Sequence, residues 1–366
     1  MNPAFFSILE SALRGAEISD REALLLLQSK DIKENQLLLA TASQINERLN
    51  GAQVSFVHNM NLNYTNICEF GCKFCNFGKS KYNKEAYKVD IQEALQKIEE
   101  RGVNEITIQG GLSKEVKFPE VLELLEAIHI RFPQIHLHTF SPLEVFYYAE
   151  QEGKSIREIL ETLKQVGVGS ICGTAAEILN DEVRKKICPT KLMTAEWLEV
   201  VQTAHEVGLP STSTILFGHI ETDAQIIEHF SHLRNLQKKT GGFTEFIPLR
   251  YVGELTRLKV EHEEAQADEY YLRLLAVARL YFQQTIRNIQ ASWVKAGFLG
   301  ALKTLEAGVN DLGGTLYEES ITRSAGGKNG EYTPLETFRS ELVRLGKVPV
   351  ERDTLYSYQL ESVVTA

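Results

Sequence analysis

From Val54 onward, short apolar or β-branched runs alternate with longer segments whose apolar residues recur every three to four positions. The short runs predict strands over 54–62, 105–109, 135–140, 167–171, 212–217, 243–249, 288–292 and 310–312. Between them, Ile91-Ala94-Leu95-Ile98, Val121-Leu124-Leu125-Ile128 and Trp197-Val200-Val201-Ala204 carry the helical spacing. Strict alternation of strand and helix implies a parallel sheet with right-handed crossovers. Eight strands suit a closed (β/α)8 barrel, although an open doubly wound sheet alternates in the same way.

Polar motifs favour closure. Asn66-Ile67-Cys68, Gln109-Gly110-Gly111, Ser141-Pro142-Leu143-Glu144, Gly173-Thr174-Ala175-Ala176-Glu177 and Gly218-His219 each follow the end of a predicted strand. In a barrel these loops meet at one mouth. Before the first strand, residues 4–50 read as two or three amphipathic helices. The expected organisation is α/β: an N-terminal helical cap over 1–53, a TIM-type barrel over 54–331 and a short C-terminal extension over 332–366. Residues 322–333 read as a loop.

Composition narrows the class. A net charge of −10 argues against a nucleic-acid partner, which calls for basic patches on the phosphate backbone. There is no 18-residue apolar stretch and no basic start followed by an apolar run, so no membrane association is expected and the cytoplasm is the expected compartment. Five cysteines in 366 residues are too few for a disulfide scaffold, and three of them fall within eight positions.

Those three, Cys68, Cys72 and Cys75, have C-x3-C-x2-C spacing directly after the first predicted strand. A zinc site would need a fourth protein ligand and usually a second paired motif, and none is evident. Cys172 and Cys188 stand alone and read as core thiols. Three thiolates on a [4Fe-4S] cluster leave one iron open, the arrangement in which S-adenosylmethionine (SAM) chelates iron and accepts an electron. The spacing resembles that of radical SAM enzymes. Phe74 stands where they carry an aromatic whose backbone meets adenine, and Gln109-Gly110-Gly111 resembles their glycine pair beside the methionine part of SAM.

The remaining motifs resemble one radical SAM group, the deazaflavin-forming FO synthases and two enzymes of futalosine-pathway menaquinone synthesis. They are Gly173-Thr174-Ala175-Ala176-Glu177, Thr203-Ala204-His205, Phe217-Gly218-His219, Thr240 to Phe246, Ser292-Trp293-Val294-Lys295 and Asp311-Leu312-Gly313-Gly314-Thr315. Within the group the likeness is strongest to the second FO synthase subunit. It implies a transferase that cleaves the Cα–Cβ bond of L-tyrosine and joins the 4-hydroxybenzyl fragment to 5-amino-6-(D-ribitylamino)uracil. It also implies a partner radical SAM subunit that closes the deazaflavin ring, and a reductant such as flavodoxin or ferredoxin. The alternative within the group is a menaquinone-pathway cyclase or aminofutalosine synthase. Asn76, Cys172 and Gly78-Lys79-Ser80-Lys81 depart from the group's pattern.

Several polar residues fall in apolar surroundings or at strand ends. Glu177 is expected to meet SAM or substrate, with a helix N-terminal acid as its structural reading. His219 is a candidate proton-transfer group. Glu245, among Phe243, Phe246 and Ile247, should meet a ligand or an internal base. Ser141 and Glu144 divide between ribose contact and helix capping. Lys295 and Arg323 are candidates for substrate carboxylate or ribityl hydroxyls, whereas His205 reads as a packing residue.

Overall fold

The computed structural model describes residues 2–357. Among the described residues there are ten strands: β1 (Gln53–Val57), β2 (Asn59–Asn63), β3 (Glu105–Gln109), β4 (His136–Thr139), β5 (Val168–Ser170), β6 (Ser211–Phe217), β7 (Phe243–Arg250), β8 (Asn288–Ile289), β9 (Asp311–Gly314) and β10 (Val348–Glu351). Every pairing between these strands is parallel, and β2-β3-β4-β5 and β6-β7-β8 form continuous runs. Isolated parallel bridges join the runs: Ile171 to Ser211, Gln290 to Asp311, and Met60 to Tyr317 beyond β9. With β9 on β1, the ring comes back on itself.

The strand expected over 54–62 is broken at His58 into β1 and β2. The break matters because β3 pairs only with the upper segment, starting at Asn59 and Glu105. Beside the lower segment lies β10, with Gln53 against Val348 and Phe56 against Glu351. Thus the C-terminal part of the chain, expected as a simple extension, contributes a strand. Arg352 follows with its N–H donated to the Phe56 carbonyl at 2.9 Å. The expected loop over 322–333 opens with the end of a helical turn, Ile321–Ser324, and residues 358–366 of the extension lie outside the described residues.

Connecting helices follow from their apolar stripes and caps. Ile91–Arg101 buries Ala94 and Ile98, starts at an Asp90 side-chain cap and stops at Gly102 in the left-handed conformation. At the N-terminus, three helices, Pro3–Leu13, Asp20–Gln28 and Ile32–Asn50, bury residues such as Phe5, Leu26, Leu38 and Ile45. These side chains join the same apolar core as the barrel. Along β3, Ile106 and Ile108 are fully buried, while Glu105, Thr107 and Gln109 alternate with them and face an internal chamber.

Candidate active site

A chamber of about 380 Å³ runs through the barrel, from the loop after β2 at its mouth to the segment after β10 at its floor. Cys68, Cys72 and Cys75 all line it, and all three are free thiols. Their loop is tied down by its own polar residues. The Thr65 hydroxyl donates to the Tyr87 carbonyl at 2.6 Å, and the Asn66 amide donates to Glu85 and accepts from the Tyr87 N–H. The Cys68 N–H reaches the Lys79 carbonyl at 2.9 Å. Gly78 belongs to this closure, because a Cβ there would come within 2.9 Å of Cys68 Cβ. Asn76 donates to the Ser324 carbonyl at 2.7 Å, so two departures from the group's pattern have local structural uses. Among the described residues, no three His, Cys, Asp or Glu side chains are placed to hold a single metal ion. Three free thiols from one tightly bonded loop, all facing the chamber, are the donor set that a cysteine-ligated cluster calls for.

The glycine pair fits tightly under this loop. A Cβ on Gly110 would lie 2.4 Å from the Tyr64 ring, and one on Gly111 would lie 2.4 Å from the Ile67 carbonyl oxygen. Close approach by the cysteine loop thus demands both glycines, whatever else they contact. Ser141 and Glu144 form a capping box: the Ser141 N–H and hydroxyl both donate to Glu144 Oε2, at 2.6 and 2.7 Å. The other carboxylate oxygen accepts from the Gly110 N–H and the Tyr64 hydroxyl, each at 3.0 Å. Burial still holds the Glu144 pKa above its ordinary value, against the lowering effect of these bonds. Both residues line the chamber, as do Phe74, Gln109, Gly110 and Gly111.

Glu177 lies at the mouth in a segment of left-handed backbone, with φ of 59° at Ala175 and 41° at Glu177. Arg184, fully buried, holds that shape by donating to the carbonyls of Ala175, Ala176 and Ile178. It also approaches the Glu177 carboxylate at 3.7 Å. The closer partner is Lys191, whose ammonium donates to Glu177 Oε1 at 3.0 Å and lies 5.2 Å from the centre of the Phe74 ring. Burial raises the Cys72 thiol pKa to about 11, with the Lys191 charge pulling the other way. Across the mouth, Lys295 lines the chamber and forms no ion pair with any described carboxylate. Burial lowers its pKa, opposed by Glu319 and Cys75.

The floor is assembled from distant parts of the chain. Arg352 Nε donates to Asp311 Oδ2 at 2.6 Å, and its terminal nitrogen reaches Gln290 at 3.3 Å and Glu245 at 3.7 Å. Burial drives the Glu245 pKa up to about 7, with Arg352 opposing and Asp311 and Glu105 adding to the rise. Glu105 accepts from the Asn59 amide at 3.0 Å and the Thr354 hydroxyl at 2.7 Å. Burial would raise Glu105, but His138, Arg352 and these two bonds outweigh it and hold the carboxyl below its ordinary pKa. His138 takes one ring nitrogen to the Ser170 hydroxyl at 2.7 Å, and burial lowers its pKa to about 4, so its imidazole is neutral.

Two sequence candidates lie elsewhere. His219 is fully buried behind the wall, with its Nδ1 accepting from the Ile220 N–H and its Nε2 bonded to the Leu216 carbonyl. Arg323 is exposed and paired with Glu331. His205, expected mid-helix, lies in the last turn of the helix Thr194–Glu206 and packs between the Thr240 and Ser211 hydroxyls. Conversely, Lys191, Glu105, His138, Arg352 and Thr354 face the chamber without having been singled out. For Glu105 and His138 a signal existed, since alternation along a barrel strand sends every second side chain inward.

Comparison with known proteins bears on this geometry. Residues 62–233 match the Radical SAM superfamily and residues 240–363 match the CofH/MqnC C-terminal region. The chain is 41% identical to a protein of Methanothermobacter thermautotrophicus, over 95% of this chain and 96% of the other. It is 42% identical to one of Synechococcus elongatus, over 96% and 95%. Both bear the name 5-amino-6-(D-ribitylamino)uracil--L-tyrosine 4-hydroxyphenyl transferase. In fold, the chain is similar to methylornithine synthase PylB, with a TM-score of 0.75 at 15% identity, covering 94% and 97% of the two chains. The hydrogenase maturase HydG of Carboxydothermus hydrogenoformans gives 0.76 at 19% identity, over 97% of this chain and 81% of the other.

Proposed function

This chain belongs to the radical SAM enzymes named 5-amino-6-(D-ribitylamino)uracil--L-tyrosine 4-hydroxyphenyl transferase, and from that membership we propose how its chamber carries out the transfer. The observation that supports the reading most strongly is likeness over nearly the full chain together with three free thiols lining one cavity. Cys68, Cys72 and Cys75 would hold the [4Fe-4S] cluster, and the donor set and tight loop fit it. When bound, cluster and SAM supply the one-electron reduction and the 5'-deoxyadenosyl radical that takes a hydrogen atom from the tyrosine amino group.

The protein's part is to hold the two substrates and keep water out. Phe74 and Gln109 are assigned to SAM. Gly110, Gly111, Ser141 and Glu144 form the wall behind it, because much of their hydrogen-bonding capacity is used within the protein. Glu177, anchored by Lys191, presents its carboxylate beside the thiols. Lys295, a cation with no ion-pair partner, is assigned to the tyrosine carboxylate. Glu245 is assigned to the other substrate. No described helix is long and apolar enough to cross a membrane. A cytoplasmic location, a reductant such as flavodoxin or ferredoxin, and a partner subunit closing the deazaflavin ring complete the proposal.

The test is an anaerobic product assay with reconstituted enzyme, SAM, reductant, tyrosine and the ribityl diaminouracil. Adduct should form with both substrates and disappear when either is omitted. Cyclisation of dehypoxanthine futalosine with no adduct from the tyrosine mixture would overturn the reading in favour of the menaquinone pathway.

A further inference from the structure

The floor of the chamber has a chemistry of its own. Glu105, Glu245 and Asp311 meet there, and one arginine, Arg352, serves them. Four of its five N–H donors are already used: Nε and one terminal nitrogen go to Asp311, that nitrogen also reaches Gln290, and the other goes to the Asp353 carbonyl at 3.2 Å. The Thr354 hydroxyl is likewise spent on Glu105. Remaining capacity is mostly acceptor capacity on Glu105 and Glu245, since a carboxylate offers about four lone-pair sites and protein donors fill only some of theirs, whereas Asp311 is fully engaged by Ser55, Gly313 and Arg352. His138 adds a neutral imidazole whose Nε2 has no protein partner. Such a surface suits a neutral ligand rich in O–H and N–H donors and opposes a carboxylate, which would add negative charge to a buried site already short of cations.

We propose that this floor, completed by Arg352 and Thr354 of the C-terminal segment, is the polyol subsite that takes the ribityl hydroxyls, and that it sets the order of the two substrates along the chamber. The proposal rests on the transferase reading. The amino acid, with its carboxylate, is kept at the mouth where Lys295 stands unpaired. The aminopyrimidine then lies between, its chain pointing away from the thiols. The contribution of Thr354 also explains why a strand beyond the barrel proper is threaded beside β1, since β10 delivers the following residues inside.

Steady-state kinetics on reconstituted holoenzyme tests this. Glu105→Gln and Thr354→Val keep shape, and each should raise KM for the ribityl substrate by about tenfold, equivalent to ~1.4 kcal/mol, while KM for tyrosine moves by less than about twofold. With 5,6-diaminouracil, which lacks the ribityl chain, the variants and the parent should bind alike by calorimetry. Should Glu105→Gln fail to fold, Thr354→Val still reads the subsite, because Glu105 keeps its bond from Asn59. An unchanged KM for the ribityl substrate, or a rise confined to tyrosine, would overturn the subsite. Absence of adduct from the parent enzyme would instead sink the transferase reading, so the two failures are distinguishable.

Discussion

At the mouth of the chamber the Glu177 carboxylate is met by two buried cations, Lys191 and Arg184, whereas at the floor one cation, Arg352, faces Glu245, Asp311 and Glu105. The mouth sets the cations Lys191 and Lys295 beside three thiols, where an anionic, thiolate-ligated cluster and the SAM carboxylate would place negative charge. The floor carries spare negative charge and acceptor capacity, where a polyol brings donors. A single barrel thus offers two electrostatic environments along one axis, and the two are built differently. The mouth comes from loops that follow strand ends, while the floor comes from inward strand residues closed by the C-terminal segment.

The largest expected effect separates the ends most cleanly. Cys72→Ser should remove most reconstituted iron and abolish 5'-deoxyadenosine formation, while the ribityl substrate still binds by calorimetry. Normal SAM cleavage in that variant would break the assignment of the mouth, and lost binding would show that the ends are not independent.

At the floor, Arg352→Met leaves Asp311 and Glu245 without their buried cation, and a loss of ~3–5 kcal/mol is expected, because an uncompensated interior charge is costly. Thermal or denaturant unfolding measures it. A loss below ~1 kcal/mol would mean that the arginine is not what balances the floor.

A pH titration sharpens the same contrast. The Glu245 pKa is pushed up to about 7 in the folded protein, above the ordinary value of 4.5. Between those values the folded state binds more protons than the unfolded one, so this group's contribution to stability falls as pH rises. Glu245→Gln should therefore melt higher than the parent near pH 8, with the gap closing toward about pH 5. A gap that is the same at both ends would mean that Glu245 is not held protonated by its surroundings.

The smallest effect is expected outside the chamber. Arg323 pairs with Glu331 on the surface, so Arg323→Ala should cost no more than ~0.5 kcal/mol and leave both KM values in place. A raised KM for either substrate would draw that loop into the site.

How far the sequence carries follows from how local each signal is. Seven of the eight expected strands are present within a few residues of their expected bounds, and the one over 54–62 is split at His58, because period-2 and period-3.6 patterns are properties of contiguous segments while a break between two pairing partners is not. The cysteine loop was legible for the same reason: three ligands lie within eight positions. The capping box of Ser141 and Glu144 was visible as S-x-x-E spacing, although not its further bonds to Gly110 and Tyr64. Lys191 gave no signal, since what distinguishes it is a fold that brings it to Glu177, fourteen positions away. Arg352 and Thr354 were hidden more deeply. Their segment reads as a tail, and only the break at His58, which frees the lower edge of β1, lets it pair there and enter the chamber. His219 misled for the opposite reason. A histidine after a strand-end glycine looks placed for chemistry, but the turn folds its ring back onto the Leu216 carbonyl.

If this chamber joins a fragment of tyrosine to the ribityl diaminouracil, the tyrosine ring must end up in the product. Ring-deuterated tyrosine with SAM, reductant and the diaminouracil, followed by mass spectrometry of the anaerobic reaction, tests it most directly. The expected product is an adduct that keeps the ring deuterium, formed together with 5'-deoxyadenosine. Steady 5'-deoxyadenosine formation with no deuterium in any uracil-containing product would contradict it.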